Sequence, residues 1–287
     1  MRPRISLPSL AGAFTRLLAD ARTQDCYFCG AASASPLCAP CHAALPRLPA
    51  ARCPCCALPA PEGLRCGRCL SEKPHYDATI AALAYAYPLD AAIQAFKYQG
   101  KLGLTATFAD LLDRALGQAW DELPVDGLDG APSRTLSQTQ SDESAEGAPA
   151  SAHGDAPLTP LGAIDLIIPA PLAPRRLAER GYNQAHELAR ALARRRHLPL
   201  DPQAVTRPRH APPQAELPWK ERAKNIRGAY TSTRRFDGLS VLVVDDVMTT
   251  GSTLGELAKV LKKAGAARVT NLVLARTLPA VMTAVKV

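Results

Sequence analysis

The chain has 287 residues, of which 47% are hydrophobic and 21% charged, a globular composition that excludes collagen, coiled coils and wholesale disorder. Its longest apolar stretches, such as residues 241–244, fall far short of the roughly 20 residues that a membrane-spanning helix needs, so we expect no membrane insertion. The formal net charge is +8, and residues 175–235 hold 15 basic against 5 acidic side chains, which suits a phosphate-rich partner.

The first 25 residues form a basic N-terminal segment. Arg2 and Arg4 carry positive charge, and Pro8 and Arg16 interrupt the weakly apolar stretch that follows. This pattern lacks the continuous apolar run of a signal peptide, so we expect a cytoplasmic protein.

Nine cysteines precede residue 70, and eight of them form four Cys-x2-Cys pairs. A Cys-x2-Cys turn directs two thiolates at one point, so two such turns complete a tetrahedral zinc site. The pairs are Cys26 with Cys29, Cys38 with Cys41, Cys53 with Cys56, and Cys66 with Cys69. Cys55 is left over, because only Cys53 keeps the two-residue spacing to Cys56. We expect two structural Zn2+ sites, since four thiolates leave no open position for a substrate.

Spacing does not decide how the four pairs combine. Sequential pairing joins the first two pairs and the last two, and interleaved pairing is equally compatible. Residues 38–42 also match the haem-attachment pattern Cys-x-x-Cys-His, but that interpretation leaves three pairs unexplained. Disulfides and a thioredoxin-like redox site fit less well, because the sequence shows neither an export signal nor a βαβ pattern around Cys26. We interpret residues 26–75 as a double zinc ribbon, which metal stabilises in place of an aliphatic core.

From residue 76 onward, hydrophobic periodicity predicts alternating strands and helices. Residues 78–87 predict one or two short strands, and apolar residues from Leu104 to Ala115 predict a helix that ends near Gly117. Residues 127–163 contain no Phe, Tyr, Trp, Ile or Val and predict a disordered insertion.

Two βα units follow this insertion. A strand at 164–168 is stopped by Pro169 and precedes a helix capped by Asn183. A second strand at 241–244 precedes a helix that ends by Gly265 and a strand at 269–275. This alternation predicts an α/β domain over residues 76–287, built on a parallel sheet.

The most informative segment is residues 241–254, which read V-L-V-V-D-D-V-M-T-T-G-S-T-L. Asp245 and Asp246 follow an apolar strand at its carboxyl end, where open α/β sheets bind ligands. The hydroxyl-rich loop after them enters a helix N-terminus, whose free N–H groups and dipole favour an anion, and Gly251 allows close approach. Acids beside a phosphate cradle fit a ribose 5-phosphate. A capping box over residues 253–256 is the competing interpretation, but it leaves the adjacent carboxylates unexplained.

Residues 241–254 resemble the PRPP (5-phosphoribosyl 1-diphosphate) signature of type I phosphoribosyltransferases, in which four apolar residues, two acids and a Thr-Gly-rich loop occur in this order. The wider chain resembles the ComF (GntX-like) family, associated with DNA uptake in natural transformation. The resemblance rests on the cysteine pairs, on F-K-Y-Q-G-K at 96–101, I-P-A-P-L at 168–172, R-R-L-A-E-R-G-Y-N-Q at 175–184, residues 214–222, Asn225 and R-G-A-Y at 227–230. It covers residues 26–277 except the insertion, and Ala211 stands where the family pattern has Thr.

This resemblance implies a Rossmann-like domain that binds PRPP together with Mg2+. It implies that Asp245 and Asp246 are catalytic and receive the ribose 2- and 3-hydroxyls. The residues implied to hold the 5-phosphate are Thr249, Thr250, Gly251, Ser252 and Thr253. Those implied to form the pyrophosphate loop are Pro169, Ala170, Pro171 and Leu172. Arg175, Arg176 and Arg180 are candidates for contacts to the leaving group or the acceptor.

Residues 207–227 mix prolines with basic side chains and show no clear period. They resemble the flexible loop that closes over PRPP in this superfamily and excludes water. Alternatively, they form a basic arm for nucleic acid, in which Trp219 could stack on a base.

Three functions fit these features. The first is a phosphoribosyltransferase that moves phosphoribosyl from PRPP to an unknown acceptor and releases pyrophosphate. The second is a competence accessory that binds single-stranded DNA and contacts other proteins of the uptake machinery. The third is a PRPP-responsive regulator, in which the ligand biases a partner-binding state. Type I phosphoribosyltransferases recognise their acceptor through a small variable region called the hood, which the resemblance places at residues 76–103. No residue there specifies a purine or a pyrimidine.

Overall fold

The computed structural model of the protein describes residues 24–121, 163–207 and 228–279. Three predictions therefore fall almost entirely outside the described residues. They concern the N-terminal segment, the insertion at 127–163 and the basic loop at 207–227, which includes Trp219 and Ala211. Within the described residues, no helix is long and apolar enough to cross a membrane.

Eight strands and seven α-helices make up the described chain. The strands are β1 Gln24–Asp25, β2 Ala32–Ser33, β3 Ala78–Ala84, β4 Leu166–Pro169, β5 Val205–Thr206, β6 Thr231–Ser232, β7 Ser240–Met248 and β8 Arg268–Arg276. The helices are α1 Ala39–Ala43, α2 Gly67–Ser71, α3 Leu89–Tyr98, α4 Thr105–Asp121, α5 Pro174–Arg180, α6 Gln184–Arg196 and α7 Ser252–Lys263. Short 3-10 turns occur at Pro61–Gly63 and Leu102–Leu104.

Four strands form one parallel sheet in the order β3-β8-β7-β4. Val241 lies opposite Leu166 of β4 on one side and opposite Val269 of β8 on the other. The predicted α/β class with a parallel sheet is therefore confirmed. Because parallel strands end at a common edge, the segments that follow β4 and β7 lie side by side.

Helices cover both faces of this sheet. On one face, Leu254, Leu257 and Leu261 of α7 pack with the residues around Cys53 and Cys56. On the other face, α3, α4 and α6 share a core that includes Phe96, Phe108 and Leu188. Phe96 and Phe108 meet edge to face with ring centroids 5.3 Å apart.

Two predicted ends differ from the structure. Helix α4 does not stop near Gly117 but continues to Asp121, because Leu116, Ala119 and Trp120 continue to bury apolar surface. A side chain at Gly117 would stand 3.3 Å from Arg196 Nη2, so the glycine accommodates a neighbouring helix. Strand β7 extends past Val244 to Met248, because the long neighbouring β8 provides backbone partners as far as Arg276.

The cysteine-rich segment covers the outer edge of β3. The Thr79 N–H donates to the Pro54 carbonyl at 3.1 Å, and the Ala84 N–H donates to the Pro46 carbonyl at 2.9 Å. Strand β3 lies at an edge of the sheet, so within the described residues its outer side has no neighbouring strand. The two hydrogen bonds from the cysteine-rich segment satisfy part of the backbone on that side.

Candidate active site and metal centres

The acidic pair lies within β7, near the carboxyl edge of the sheet. Asp246 is buried, and its Oδ1 lies 2.9 Å from Lys97 Nζ at the end of α3. Asp245 Oδ1 accepts a hydrogen bond from the Asp246 backbone N–H at 2.9 Å. The two acids therefore have different partners, although they are adjacent in sequence.

Burial and mutual repulsion set the charge of this pair. Burial, followed by the negative charge of Asp246, raises the pKa of Asp245 to about 7, although Lys97 opposes the shift. Burial, the largest single influence, would lower the pKa of Lys97, but the charge and hydrogen bond of Asp246 together with the charge of Asp245 raise it, so Lys97 stays a cation. Asp245 can therefore lose or take up a proton near neutral pH.

The loop after the acids has the geometry of an anion cradle. Gly251 begins α7 with a φ of 83°, and no side chain caps the helix. A Cβ atom at Gly251 would lie 2.6 Å from Met248 Cε and 2.9 Å from Tyr76 Oη, so only glycine fits. The Thr250 hydroxyl accepts from the Ser252 N–H at 3.0 Å and is 2.8 Å from the Ser252 hydroxyl. The Ser252 N–H is therefore occupied, and the N–H groups of the next residues in the first turn, Thr253 and Leu254, are the ones directed away from the helix body and available to an anion.

A second loop leaves the neighbouring strand at the same edge. The Ala170 N–H donates to the Val244 carbonyl at 2.9 Å, and Asn183 Nδ2 donates to the Ala170 carbonyl at 3.0 Å. Asn183 Oδ1 also caps α6, as predicted, by accepting from the Ala185 N–H at 3.0 Å. The predicted pyrophosphate loop, residues 169–172, is thereby tied to β7 and to α6.

A basic cleft of about 320 Å3 lies between the end of α3 and α5. It is lined by Lys97, Tyr98, Gly100, Arg176, Glu179, Arg180 and Tyr182. Arg180 lies over the Tyr98 ring, 4.8 Å from its centroid, and also donates to Gln184 Oε1 at 2.9 Å. Arg175 does not line this cleft, because it is exposed and forms an ion pair with Glu179 at 2.8 Å. Of the three candidate arginines, the structure brings Arg176 and Arg180 to the cleft.

The two-stranded ribbon of β5 and β6 flanks the basic loop in the sequence and brings Arg207 and Tyr230 together. Arg207 lies over the ring of Tyr230, 5.6 Å from its centroid. Burial raises the pKa of Tyr230 to about 12, with Arg207 opposing this shift and Asp245 reinforcing it. Tyr230 therefore stays a neutral phenol within the electrostatic reach of Asp245.

The sequence did not identify three residues of this site by role. Lys97 and Tyr98 belong to the F-K-Y-Q-G-K motif, which was the available signal, but nothing local indicated that Lys97 pairs with Asp246. The third is Tyr76, whose hydroxyl lies against Gly251. No local sequence pattern identifies Tyr76 as a site residue, because its contact with Gly251 joins segments far apart along the chain.

The eight paired cysteines form two clusters, which combine the pairs sequentially. The first cluster comprises Cys26, Cys29, Cys38 and Cys41, and the second comprises Cys53, Cys56, Cys66 and Cys69, with the ligand atoms of each set within 4.8 Å of one another. Zn–S bonds of about 2.3 Å in a tetrahedron place sulfur atoms about 3.8 Å apart. The Cys29–Cys38 and Cys56–Cys66 Sγ distances are both 3.6 Å, so both clusters fit Zn2+.

Cys55 belongs to neither cluster, in agreement with its spacing. Its thiol donates to the Tyr76 carbonyl at 3.8 Å. Burial raises the pKa of Cys55 to about 11, which keeps it a protonated structural thiol.

Comparisons with known proteins match this architecture. Residues 177–280 match the phosphoribosyl transferase domain. The chain is 32% identical over 227 residues to the DNA utilization protein YhgH of Escherichia coli strain K12, which covers 79% of this chain and 84% of that protein. It is 32% identical over 203 residues to Competence protein F of Haemophilus influenzae, which covers 70% of this chain and 73% of that protein.

Among solved structures, the glutamine PRPP amidotransferase from B. subtilis complexed with ADP and GMP aligns with 18% identity and a TM-score of 0.28. That alignment covers 39% of this chain and 22% of the amidotransferase chain.

Proposed function

Because this chain belongs to the ComF family of proteins with a phosphoribosyltransferase domain, we propose that it binds PRPP and transfers phosphoribosyl to an acceptor, releasing pyrophosphate. In this proposal, residues 26–75 form a zinc-ribbon module, residues 76–287 form the transferase domain, and the protein works in the cytoplasm. The names of the relatives, DNA utilization protein and Competence protein F, support a link to DNA uptake.

One observation carries the proposal most directly. A single chain segment leads from Asp245 and Asp246 to the uncapped N-terminus of α7, which Gly251 opens to close approach. Carboxylates accept hydrogen bonds from vicinal hydroxyls, and free N–H groups at a helix N-terminus bind phosphate. A ribose 5-phosphate joins these two functional groups in one molecule.

The roles of the chain follow from this placement. Asp245 and Asp246 hold the ribose 2- and 3-hydroxyls, while Thr249, Thr250, Gly251, Ser252 and Thr253 hold the 5-phosphate. Pro169, Ala170, Pro171 and Leu172 hold the pyrophosphate beside them. In the reaction, the bond from the anomeric carbon to the pyrophosphate oxygen breaks, the acceptor bonds to that carbon, and pyrophosphate leaves with the electron pair.

The basic residues stabilise the charge that develops on pyrophosphate. Arg176 and Arg180 line the cleft beside the acids and offer guanidinium groups to phosphate oxygens. Arg175 forms an ion pair with Glu179, so in our proposal it contacts the pyrophosphate only when that ion pair breaks. Mg2+, when bound with PRPP, supplies further positive charge to the leaving group.

Single-stranded DNA is a second candidate ligand, supported by a different observation. Tyr98 is 69% exposed, and Arg180 lies against its ring at the mouth of the basic cleft. Exposed aromatic rings beside arginines are typical of surfaces that stack unpaired bases.

Calorimetric titration of the zinc-loaded protein with PRPP, with and without Mg2+, tests the proposal. We expect Mg2+-dependent binding that the double variant Asp245→Asn, Asp246→Asn abolishes. The double variant Asp25→Asn, Glu62→Gln removes the same charge from exposed positions and should bind normally. Absence of PRPP binding by the well-folded wild-type protein would refute the proposal and leave single-stranded DNA as the ligand to test.

A further inference from the structure

Two arginines join the second cysteine cluster to the loop that follows the acids. Arg68, which lies between the ligands Cys66 and Cys69, donates from Nη2 to the Thr250 carbonyl. Arg276 is buried at the end of β8 and donates from Nε to the Cys56 carbonyl at 2.8 Å. The same guanidinium donates from Nη1 to the Met248 carbonyl at 2.9 Å and to the Thr249 carbonyl.

These contacts hold three successive carbonyl groups, those of residues 248–250. In a trans peptide, the carbonyl of one residue and the N–H of the next point in opposite directions. Carbonyls turned towards the two guanidiniums therefore turn the N–H groups of Thr249, Thr250 and Gly251 the other way. Successive N–H groups on one side of a turn form a concave anion site.

Without this arrangement, a carbonyl of the same loop could face a bound phosphate and repel it. We infer that Arg68 and Arg276 are positioning residues that preset the 249–251 loop for a phosphate, and that the second cysteine cluster holds them in place when its metal is bound. This inference rests on the proposed function only for the identity of the phosphate, since the link between cluster and loop is independent of any ligand.

The first cysteine cluster provides an internal comparison. Leu37 and Leu45 of its segment pack in the core shared by α3, α4 and α6, on the opposite face of the sheet from α7. The second cluster packs instead with Tyr76, Met248 and Leu254 beside the loop. Both clusters fit Zn2+, but only the second contacts this loop among the described residues.

Hydrogen–deuterium exchange tests the link without any ligand. The Ser252 N–H bonds to Thr250 Oγ1 and the Gly255 N–H bonds to the Gly251 carbonyl, so both amides report on the loop. We expect Arg68→Met to keep both zinc ions and to speed exchange at these amides about tenfold, equivalent to about 1.4 kcal/mol. Lys73→Met, an exposed charge lost from the same segment, should leave exchange unchanged.

Metal removal is tested by one cysteine variant for each cluster. Cys66→Ser and Cys29→Ser should each lose one zinc ion, and only Cys66→Ser should speed exchange at Ser252 and Gly255. If Cys66→Ser does not fold, Arg68→Met still decides, because the Arg68 side chain is 45% exposed and is not a ligand. Unchanged exchange in Arg68→Met would overturn the inference.

Ligand titration separates this inference from the proposed function. Arg68→Met should weaken ribose 5-phosphate about tenfold, again about 1.4 kcal/mol. It should leave inorganic pyrophosphate unaffected, because within the described structure the side-chain hydrogen bonds of Arg68 and Arg276 go to residues other than 169–172. Equal weakening of both ligands would indicate general loosening of the domain and count against a positioning role. If the wild-type protein binds neither ligand, the proposed function fails, and the exchange experiment alone decides the link.

Discussion

Lys97 Nζ lies 2.9 Å from Asp246 Oδ1, so a cation from α3 partly neutralises two adjacent acids on β7. Desolvation, followed by the negative charge of Asp246, raises the pKa of Asp245 to about 7. One ammonium group therefore links α3 to β7 at this site. A ribose hydroxyl that bonds to Asp246 must either share the carboxylate with Lys97 or replace Lys97 as its partner. The strength of this ion pair therefore affects the affinity for the ribose.

Replacing this cation should destabilise the protein. Lys97→Met leaves Asp246 buried without its partner, and we expect a loss of about 3 kcal/mol in the free energy of unfolding. Without the ammonium, which now lowers the pKa of Asp245, that pKa rises further above its value in the unfolded chain, so the deficit should shrink as pH falls from 8 to 5. Urea unfolding at both pH values measures it, with the exposed Lys101→Met as control. An equal deficit at both pH values would contradict this account.

Asp245 should reduce stability at alkaline pH. Its pKa is raised to about 7, so the folded chain holds this proton more tightly than the unfolded chain does. The contribution of Asp245 to stability therefore falls as pH rises from about 4 to 7. We expect Asp245→Asn to stabilise the protein at pH 8 and to have a smaller effect at pH 4.5. Asp246→Asn should instead destabilise it at pH 8 because Lys97 loses its partner, and urea unfolding of both variants compares them.

Two glycines of one segment should respond to alanine in opposite directions. Gly251→Ala introduces a Cβ atom 2.6 Å from Met248 Cε at a φ of 83°, and should cost about 1–3 kcal/mol in stability. Gly255→Ala lies within α7 and meets its nearest neighbour, Tyr76 Cε1, at 3.9 Å, so it should stabilise the helix by up to about 1 kcal/mol. Thermal unfolding compares them. A Gly251→Ala variant as stable as the wild-type protein would show that the loop has room for a side chain.

Zinc content should distinguish neighbouring cysteines. Cys56→Ser removes a ligand of the second cluster and should leave one zinc ion per chain, whereas Cys55→Ser should keep two. Metal analysis of the purified proteins measures the zinc content of both variants. A colorimetric assay of the zinc released on unfolding gives a second measurement. A zinc ion lost from Cys55→Ser would mean that this thiol takes part in binding.

Two exposed tyrosines offer a matched test of DNA binding. Tyr98 lies beside Arg180 in the basic cleft, whereas Tyr87 is 81% exposed and does not line that cleft. If Tyr98 stacks a base, Tyr98→Ala should lose about 1–3 kcal/mol of affinity for an oligothymidylate and Tyr87→Ala almost none. Fluorescence anisotropy at several salt concentrations measures both, and binding should weaken as salt rises. Equal affinities of the two variants would exclude stacking at Tyr98.

The features predicted correctly from the sequence, the metal clusters and the parallel sheet, depend mostly on the spacing of residues close together along the chain. Cys-x2-Cys turns and the apolar core of β7 specify their structures within a few residues, so the metal clusters and the parallel sheet were accessible. The ends of α4 and β7 were not, because packing against Arg196 and pairing with β8 decide them. Tertiary context overrides local propensity at such positions.

The unpredicted parts of the candidate site are contacts between distant segments. Arg276 reaches the Cys56 carbonyl across 220 residues of sequence, and Lys97 reaches Asp246 from another helix. Neither residue has a local pattern that identifies its partner. Their positions depend on the order of the strands in the sheet, which periodicity alone does not supply.

The cover that the cysteine-rich segment provides for β3 has a consequence for solubility. All seven residues of β3, A-T-I-A-A-L-A, are buried or nearly so, and Pro46 and Pro54 accept hydrogen bonds from its outer edge. If metal loss detaches this segment, an apolar strand with unpaired N–H groups becomes available to other copies of the chain. Zinc starvation would then lead to self-association and precipitation, so the supply of metal would control how much protein remains in solution.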